Sequence, residues 1–82
     1  MQKAITSQNY INLTSYLKKR RLELGLSMRD LGERIDQPHS FVQKLEDGQK
    51  KLDIYQYVQY CEALELDAPE TLMILVVQPM PF

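Results

Sequence analysis

The stretch GLSMRDLGERIDQPHSFVQKLEDG, residues 25–48, constrains this chain more than any other. A glycine stands at each end and a proline interrupts the middle. Gly25 follows an apolar series, Tyr10, Leu13, Leu17 and Leu24, spaced near the helical period, and sits where a left-handed C-cap belongs. Ser27 can then accept from N–H groups in the first turn of a second helix, with Asp30 at the capping-box position. That helix is short and ends at Asp36, a residue type that tolerates left-handed backbone angles better than most. Pro38 suits the first turn of a third helix, because the N–H it lacks would go unused there. Asp47-Gly48 stops that helix.

Two short helices joined by a tight turn across residues 27–45 form a helix-turn-helix unit. Leu31, Ile35, Val42 and Leu45 supply the apolar residues that lock the pair at a fixed angle. Gly32 costs roughly 1 kcal/mol against alanine inside a helix; the cost makes sense where another helix comes very close. Around this unit the pattern stays helical. A first helix is predicted over Asn9–Leu24, and Gln49-Lys50-Lys51 forms an exposed loop. A fourth helix follows over Asp53–Glu65, with Ile54, Val58, Cys61 and Leu64 on one face. Asp67-Ala68-Pro69-Glu70 opens a fifth, which continues through Leu72, Ile74 and Leu75 and stops before Pro79. Residues 1–8 are a weakly specified lead-in. At Leu75-Val76-Val77 a terminal strand competes with helix, because valine favours strands. The expectation is an all-α chain forming one domain over residues 1–82, with its core in 9–67 and an apolar C-terminal segment over 68–82.

Composition removes several classes of function. A single cysteine, Cys61, makes an intramolecular disulfide impossible, and one histidine with one cysteine argues against a structural zinc site. No serine or cysteine is placed for a nucleophile–base pair, and no cluster of titratable groups converges. Neither an enzyme, a metal nor a cofactor is expected. Nothing resembles a signal peptide, and no apolar run reaches the roughly 18 residues of a membrane span, so a cytoplasmic protein without membrane contact is expected. Net charge is −1, but its distribution is uneven. Residues 1–51 hold all ten Lys and Arg against six acids; residues 52–82 hold five acids and no base. A chain divided in this way can be cationic on one side and anionic on the other.

From Leu17 to Leu66 the chain resembles the Cro/phage-repressor (XRE-like) class of helix-turn-helix proteins, small bacterial transcriptional regulators. The likeness is carried by Gly25-Leu26-Ser27 entering the second helix and by Leu31 and Ile35 within it. Val42, with Lys44-Leu45-Glu46-Asp47-Gly48, closes the third helix in the same pattern, and Ala63-Leu64-Glu65-Leu66 ends the fourth. The resemblance implies a five-helix lambda-repressor-like DNA-binding domain, with its helix-turn-helix at helices two and three. It also implies that Arg21 and Glu46 form a structural ion pair tying helix one to the end of helix three. Two positions depart from the pattern: Asp36 stands where the family often places glycine, and Met28 where members frequently carry a polar residue that contacts phosphate.

On this reading the recognition helix, residues 38–46, lies in the major groove. Gln37, Pro38, His39 and Ser40 lead, with Lys44 one turn further on. Glutamine reads adenine, lysine donates to guanine, and serine serves either. Phe41 either meets a thymine methyl or belongs to the core. Ser27, Arg29, Lys50 and Lys51 flank this surface as phosphate contacts, giving affinity rather than sequence information. The basic run Lys18-Lys19-Arg20-Arg21 is otherwise a solvated helix face, and Cys61 packs as a small apolar residue. Tyr55, Tyr57 and Tyr60 cannot all face one core from a single short helix. Leu72, Leu75, Val76, Val77 and Phe82 belong to a terminus too apolar to stand exposed, and are assigned to a two-fold dimer interface. The expected function is sequence-specific binding of double-stranded DNA by a homodimeric regulator. The alternative is a protein-interaction module of the same fold whose partner is toxin-like.

Overall fold

The computed structural model describes residues 7–76. Five helices follow one another: α1 (Gln8–Glu23), α2 (Met28–Arg34), α3 (His39–Glu46), α4 (Ile54–Ala63) and α5 (Ala68–Val76). No strand occurs among the described residues, and Leu75 and Val76 are helical. Val77, Met80 and Phe82 lie outside them.

Local chemistry sets the helix boundaries. At the start of α2 the Ser27 hydroxyl accepts from the Asp30 N–H at 2.9 Å while the Asp30 carboxylate accepts from the Ser27 N–H at 2.9 Å. Asp53 and Gln56 form the same reciprocal box at the start of α4, and the Asp67 carboxylate accepts from the Glu70 N–H ahead of α5. The first four helices end alike. Gly25, Asp36, Gly48 and Glu65 take positive φ of 73°, 58°, 77° and 59°. In each case the next residue's N–H returns to a carbonyl five residues back, as Gln37 does to Gly32 at 2.8 Å. This is the Schellman arrangement. Two of the four positions carry side chains, so Asp36 and Glu65 hold a backbone conformation that favours glycine.

The core forms where the helices meet. Leu13 and Leu17 of α1, Leu31 of α2, Val42 and Leu45 of α3, Tyr60 of α4, and Leu64 just after it are fully buried. Cys61 is buried among them, as expected. The Tyr60 hydroxyl has no hydrogen-bond partner among the described residues. Burial, then the nearby Glu46 carboxylate, holds its pKa above the ordinary tyrosine value. α5 lies against α1, and the Asn9 side chain donates to the Leu75 carbonyl at 3.0 Å.

The inward face of α4 is not the whole of the apolar face that spacing picks out. Ile54 is 84% exposed and Val58 37%, whereas Tyr57, Tyr60, Cys61 and Leu64 are buried. The two overlapping apolar stripes share Cys61 and Leu64, so periodicity alone does not choose between them. The tyrosine stripe wins because it removes more surface from water. The Tyr57 hydroxyl also finds a partner, donating to the Ala68 carbonyl at 2.7 Å. Tyr55 is the tyrosine left outside, 70% exposed.

Candidate nucleic-acid interface

The angle between α2 and α3 is fixed by a close approach of backbone. A Cβ added to Gly32 would stand 2.5 Å from the Gln37 carbonyl oxygen and 3.3 Å from the Pro38 carbonyl carbon. Only glycine lets the turn pass so near α2, and the turn thereby delivers Pro38 as the residue just ahead of α3. The close neighbour is therefore the connecting turn rather than a helix. α3 begins at His39, one residue later than the proline-first start predicted from sequence.

At its other end α3 is held by an ion pair. The Arg21 Nε donates to a Glu46 carboxylate oxygen at 2.7 Å and a terminal nitrogen donates to the second oxygen at 3.0 Å. A third N–H donates to the Leu26 carbonyl at 2.7 Å. The two side chains are 7% and 2% exposed. Hydrogen bonding to Glu46 raises the Arg21 pKa above its already high ordinary value, so the guanidinium is permanently charged. The pairing implied by the resemblance is present, and it joins α1 to the last residue of α3.

Between these anchors α3 turns a polar face outward. Pro38, His39 and Lys44 are exposed, while Ser40 and Gln37 are half-buried. α3 has no side-chain cap at its start, unlike α2, α4 and α5. The Phe41 N–H is taken by the Pro38 carbonyl at 3.0 Å, which leaves the His39 and Ser40 N–H groups open to an external acceptor. Phe41 is 8% exposed and part of the hydrophobic core, so the thymine-contact expectation is corrected in favour of the core role. Gln43 was not singled out from the sequence, yet it is exposed, three residues after Ser40 and four after His39. That spacing puts all three on one face, and the signal was available in the sequence.

The flanks are mixed in charge. Arg29 and Lys51 are exposed and Lys50 is half-buried, its ammonium 5.1 Å from the centre of the Phe41 ring. Asp36 and Asp47 are also exposed, one just before α3 and one just after it. Ser27 is exposed, but its hydroxyl already accepts from Asp30 and its N–H is taken by the Asp30 carboxylate. Only its hydroxyl proton is free to donate. The ion pairs among the described residues all use arginine: Arg20–Glu23, Arg21–Glu46 and Arg34–Glu65. Arg20 and Arg34 further donate to the Leu64 and Ala63 carbonyls at the end of α4. Arg20 and Arg21 are therefore not part of a solvated face, as the basic run had suggested, whereas Lys18 and Lys19 are exposed.

Two short helices locked at a fixed angle, the second with an open leading end and a polar outer face, define a helix-turn-helix DNA-binding protein. A family model described as helix-turn-helix, HTH_3, matches residues 17–70. The chain belongs to this family, which is of XRE type and comprises DNA-binding regulators rather than enzymes. Solved structures agree on the fold. An XRE-family like protein from Pseudomonas syringae pv. tomato str. DC3000 is 28% identical, with a TM-score of 0.76 over 83% of each chain. The clp gene regulator ClgR from Corynebacterium glutamicum is 21% identical, with a TM-score of 0.74 over 85% of this chain and 74% of that one. The restriction-modification controller protein C.Esp1396I was solved as a tetramer with its natural 35 base-pair operator. It is 21% identical, with a TM-score of 0.74 over 85% of this chain and 92% of that one. No curated protein matches the sequence. No described helix is long and apolar enough to cross a membrane.

Proposed function

We propose that the protein is a sequence-specific regulator that binds double-stranded DNA as a symmetric homodimer, with α3 in the major groove. The observation that carries this is the uncapped, outward-facing start of α3, rigidly held at both ends and accompanied by lysines. His39, Ser40, Gln43 and Lys44 face the bases, with Gln37 and Pro38 at the leading edge. Ser27, Arg29, Lys50 and Lys51 take phosphates on either side. Asp36 and Asp47 repel the backbone at a wrong register, which favours specificity over affinity. Such a regulator acts where the DNA is, in the cytoplasm, over one domain spanning the chain.

Dimerisation is assigned to the outer faces of α4 and α5. Leu72, Met73 and Val76 are exposed on α5, as are Ile54 and Val58 on α4, and Leu72 lines one groove with Ile54 and Val58. Leu75 is half-buried against the protein's own core and is a weaker candidate than Leu72. Two copies would read half-sites about 34–36 Å apart. The groove between these helices also favours a second reading, a protein partner such as a toxin. It holds about 650 Å³ and is lined by Ile54, Val58 and Leu72, with Glu62 and Asp67 at its edge.

Selection of bound duplexes from a random pool tests the main reading. A two-fold symmetric consensus is expected, and Lys44→Ala should change base preference while Lys50→Ala weakens all duplexes alike. A pool that emerges without enrichment refutes sequence-specific binding. Equal, sequence-blind losses from both variants remove Lys44 from the reading set. A stoichiometric protein partner recovered from the host together with an unenriched pool would favour the second reading.

A further inference from the structure

The loop between α3 and α4 carries the two lysines assigned to phosphate, and its backbone is held by one hydroxyl from a distant helix. Tyr10, in the first turns of α1, is buried with its ring in the core. Its hydroxyl donates to the Lys50 carbonyl at 2.9 Å and accepts from the Leu52 N–H at 3.1 Å. The loop thus closes around a single oxygen, with exposed Lys51 at the apex between the two bonded residues. Each end of the loop is fixed as well. The Gln49 N–H returns to the Lys44 carbonyl, and Asp53 opens the capping box of α4. The Lys50 ammonium rests over the Phe41 ring.

We propose that Tyr10 is a positioning residue for DNA binding: its hydroxyl grips the loop on both sides of Lys51 and so sets where the Lys50 and Lys51 ammonium groups stand. The inference rests on the reading that these lysines contact phosphate. A lysine on a free loop must be ordered when it binds, at a cost for each immobilised side chain. A loop already folded around the tyrosine oxygen has met part of that cost before DNA arrives. Phenylalanine at this position keeps the ring in the core and removes only the clamp. It leaves the Leu52 N–H and the Lys50 carbonyl to water, so the loop loosens while the helices remain.

The experiment is a double-mutant cycle on a mixed-sequence duplex, because phosphate contacts are blind to sequence. Tyr10→Phe should weaken binding by roughly three- to tenfold, the range set by ordering one or two long side chains. In the Lys50→Ala/Lys51→Ala background the same change should cost nothing. A general loss of structure would instead cost the same in both backgrounds, and that outcome overturns the clamp alone. If the double lysine variant binds the duplex as well as the parent protein, the phosphate reading itself fails. Amide hydrogen exchange on the unmutated protein gives a test that needs no variant to fold. The Leu52 amide should exchange more slowly than that of Lys51, and equal, unprotected rates overturn the clamp.

Discussion

Removing Glu46 tests how firmly α3 is mounted. Glu46→Ala leaves the Arg21 guanidinium buried, with only the Leu26 carbonyl remaining of its three bonds. With side chains 7% and 2% exposed, solvent screening contributes little, and breaking such a pair from one side costs about 3–5 kcal/mol. A domain of this size has only about 4–12 kcal/mol in total, so the variant should lose at least about a quarter of its stability. Arg21→Lys should lose less: it keeps a charge but not the two parallel bonds or the third to Leu26. Arg21→Met/Glu46→Leu together should recover most of the loss, ending within about 1 kcal/mol of the parent, because no charge is then left buried and alone.

Urea denaturation followed by far-UV circular dichroism measures all four proteins, and an unchanged slope with denaturant shows that compactness is preserved. A Glu46→Ala loss below about 1 kcal/mol would refute the claim that the pair is desolvated and structural. So would a double variant no more stable than Glu46→Ala, since with both charges removed none is left buried and alone. The functional consequence is separable from stability. At temperatures where Glu46→Ala is still folded, its DNA affinity should also fall, because α3 would be held only at its leading end.

Asp36→Gly and Glu65→Gly should each stabilise the fold by about 0.5–1 kcal/mol, the relief of a left-handed side chain less the extra chain entropy of glycine. Glu65→Gly should gain more, since aspartate tolerates that conformation better and the Arg34–Glu65 pair is exposed; a loss of melting temperature in both would refute the strain at these positions. For Asp30, the bond from the Ser27 N–H above all holds the carboxyl below its ordinary value of 3.8. Because the fold favours the charged form, its stabilisation is present above that value and lost as pH falls through the lowered pKa. Asp30→Asn should therefore flatten the acid limb of a stability–pH curve below pH about 4, and an unchanged limb would refute the assignment.

What was legible in the sequence was what acts over a few residues. Ser27 with Asp30, the glycines at 25 and 48, and Asp67 ahead of Pro69 each set a boundary through local hydrogen bonds, and each boundary is found where expected. The Arg21–Glu46 pair came from resemblance, since nothing local joins residues 25 apart. Long-range bonds left no local trace. Arg20 reaches the Leu64 carbonyl across 44 residues and Tyr10 reaches Lys50 across 40. Their donors look like any solvated arginine or core tyrosine until the chain is folded. The choice of face on α4 has a different cause: two apolar stripes were present, and the residues left exposed, Ile54 and Val58, are those assigned to a second copy.

The division of labour between the two kinds of cation bears on how this protein can bind DNA at all. Within residues 27–51 there are five bases, Arg29, Arg34, Lys44, Lys50 and Lys51, and five acids, Asp30, Glu33, Asp36, Glu46 and Asp47. Arg34 is engaged at the end of α4, and Glu46 is neutralised by Arg21 from α1. The planar, forked guanidinium suits holding two helix ends together, so those arginines are spent on structure and mainly ammonium groups remain for phosphate. The three cations assigned to phosphate, Arg29, Lys50 and Lys51, would release few counterions, giving a log–log salt slope of about −3. At physiological salt that supports only weak, non-specific association. Two protomers acting together double the number of phosphate contacts and add a second set of base contacts at fixed distance. In the proposed dimer, a near-neutral reading head would make affinity depend on correct sequence in both half-sites, and on the apolar faces of α4 and α5 that would hold the two heads in register.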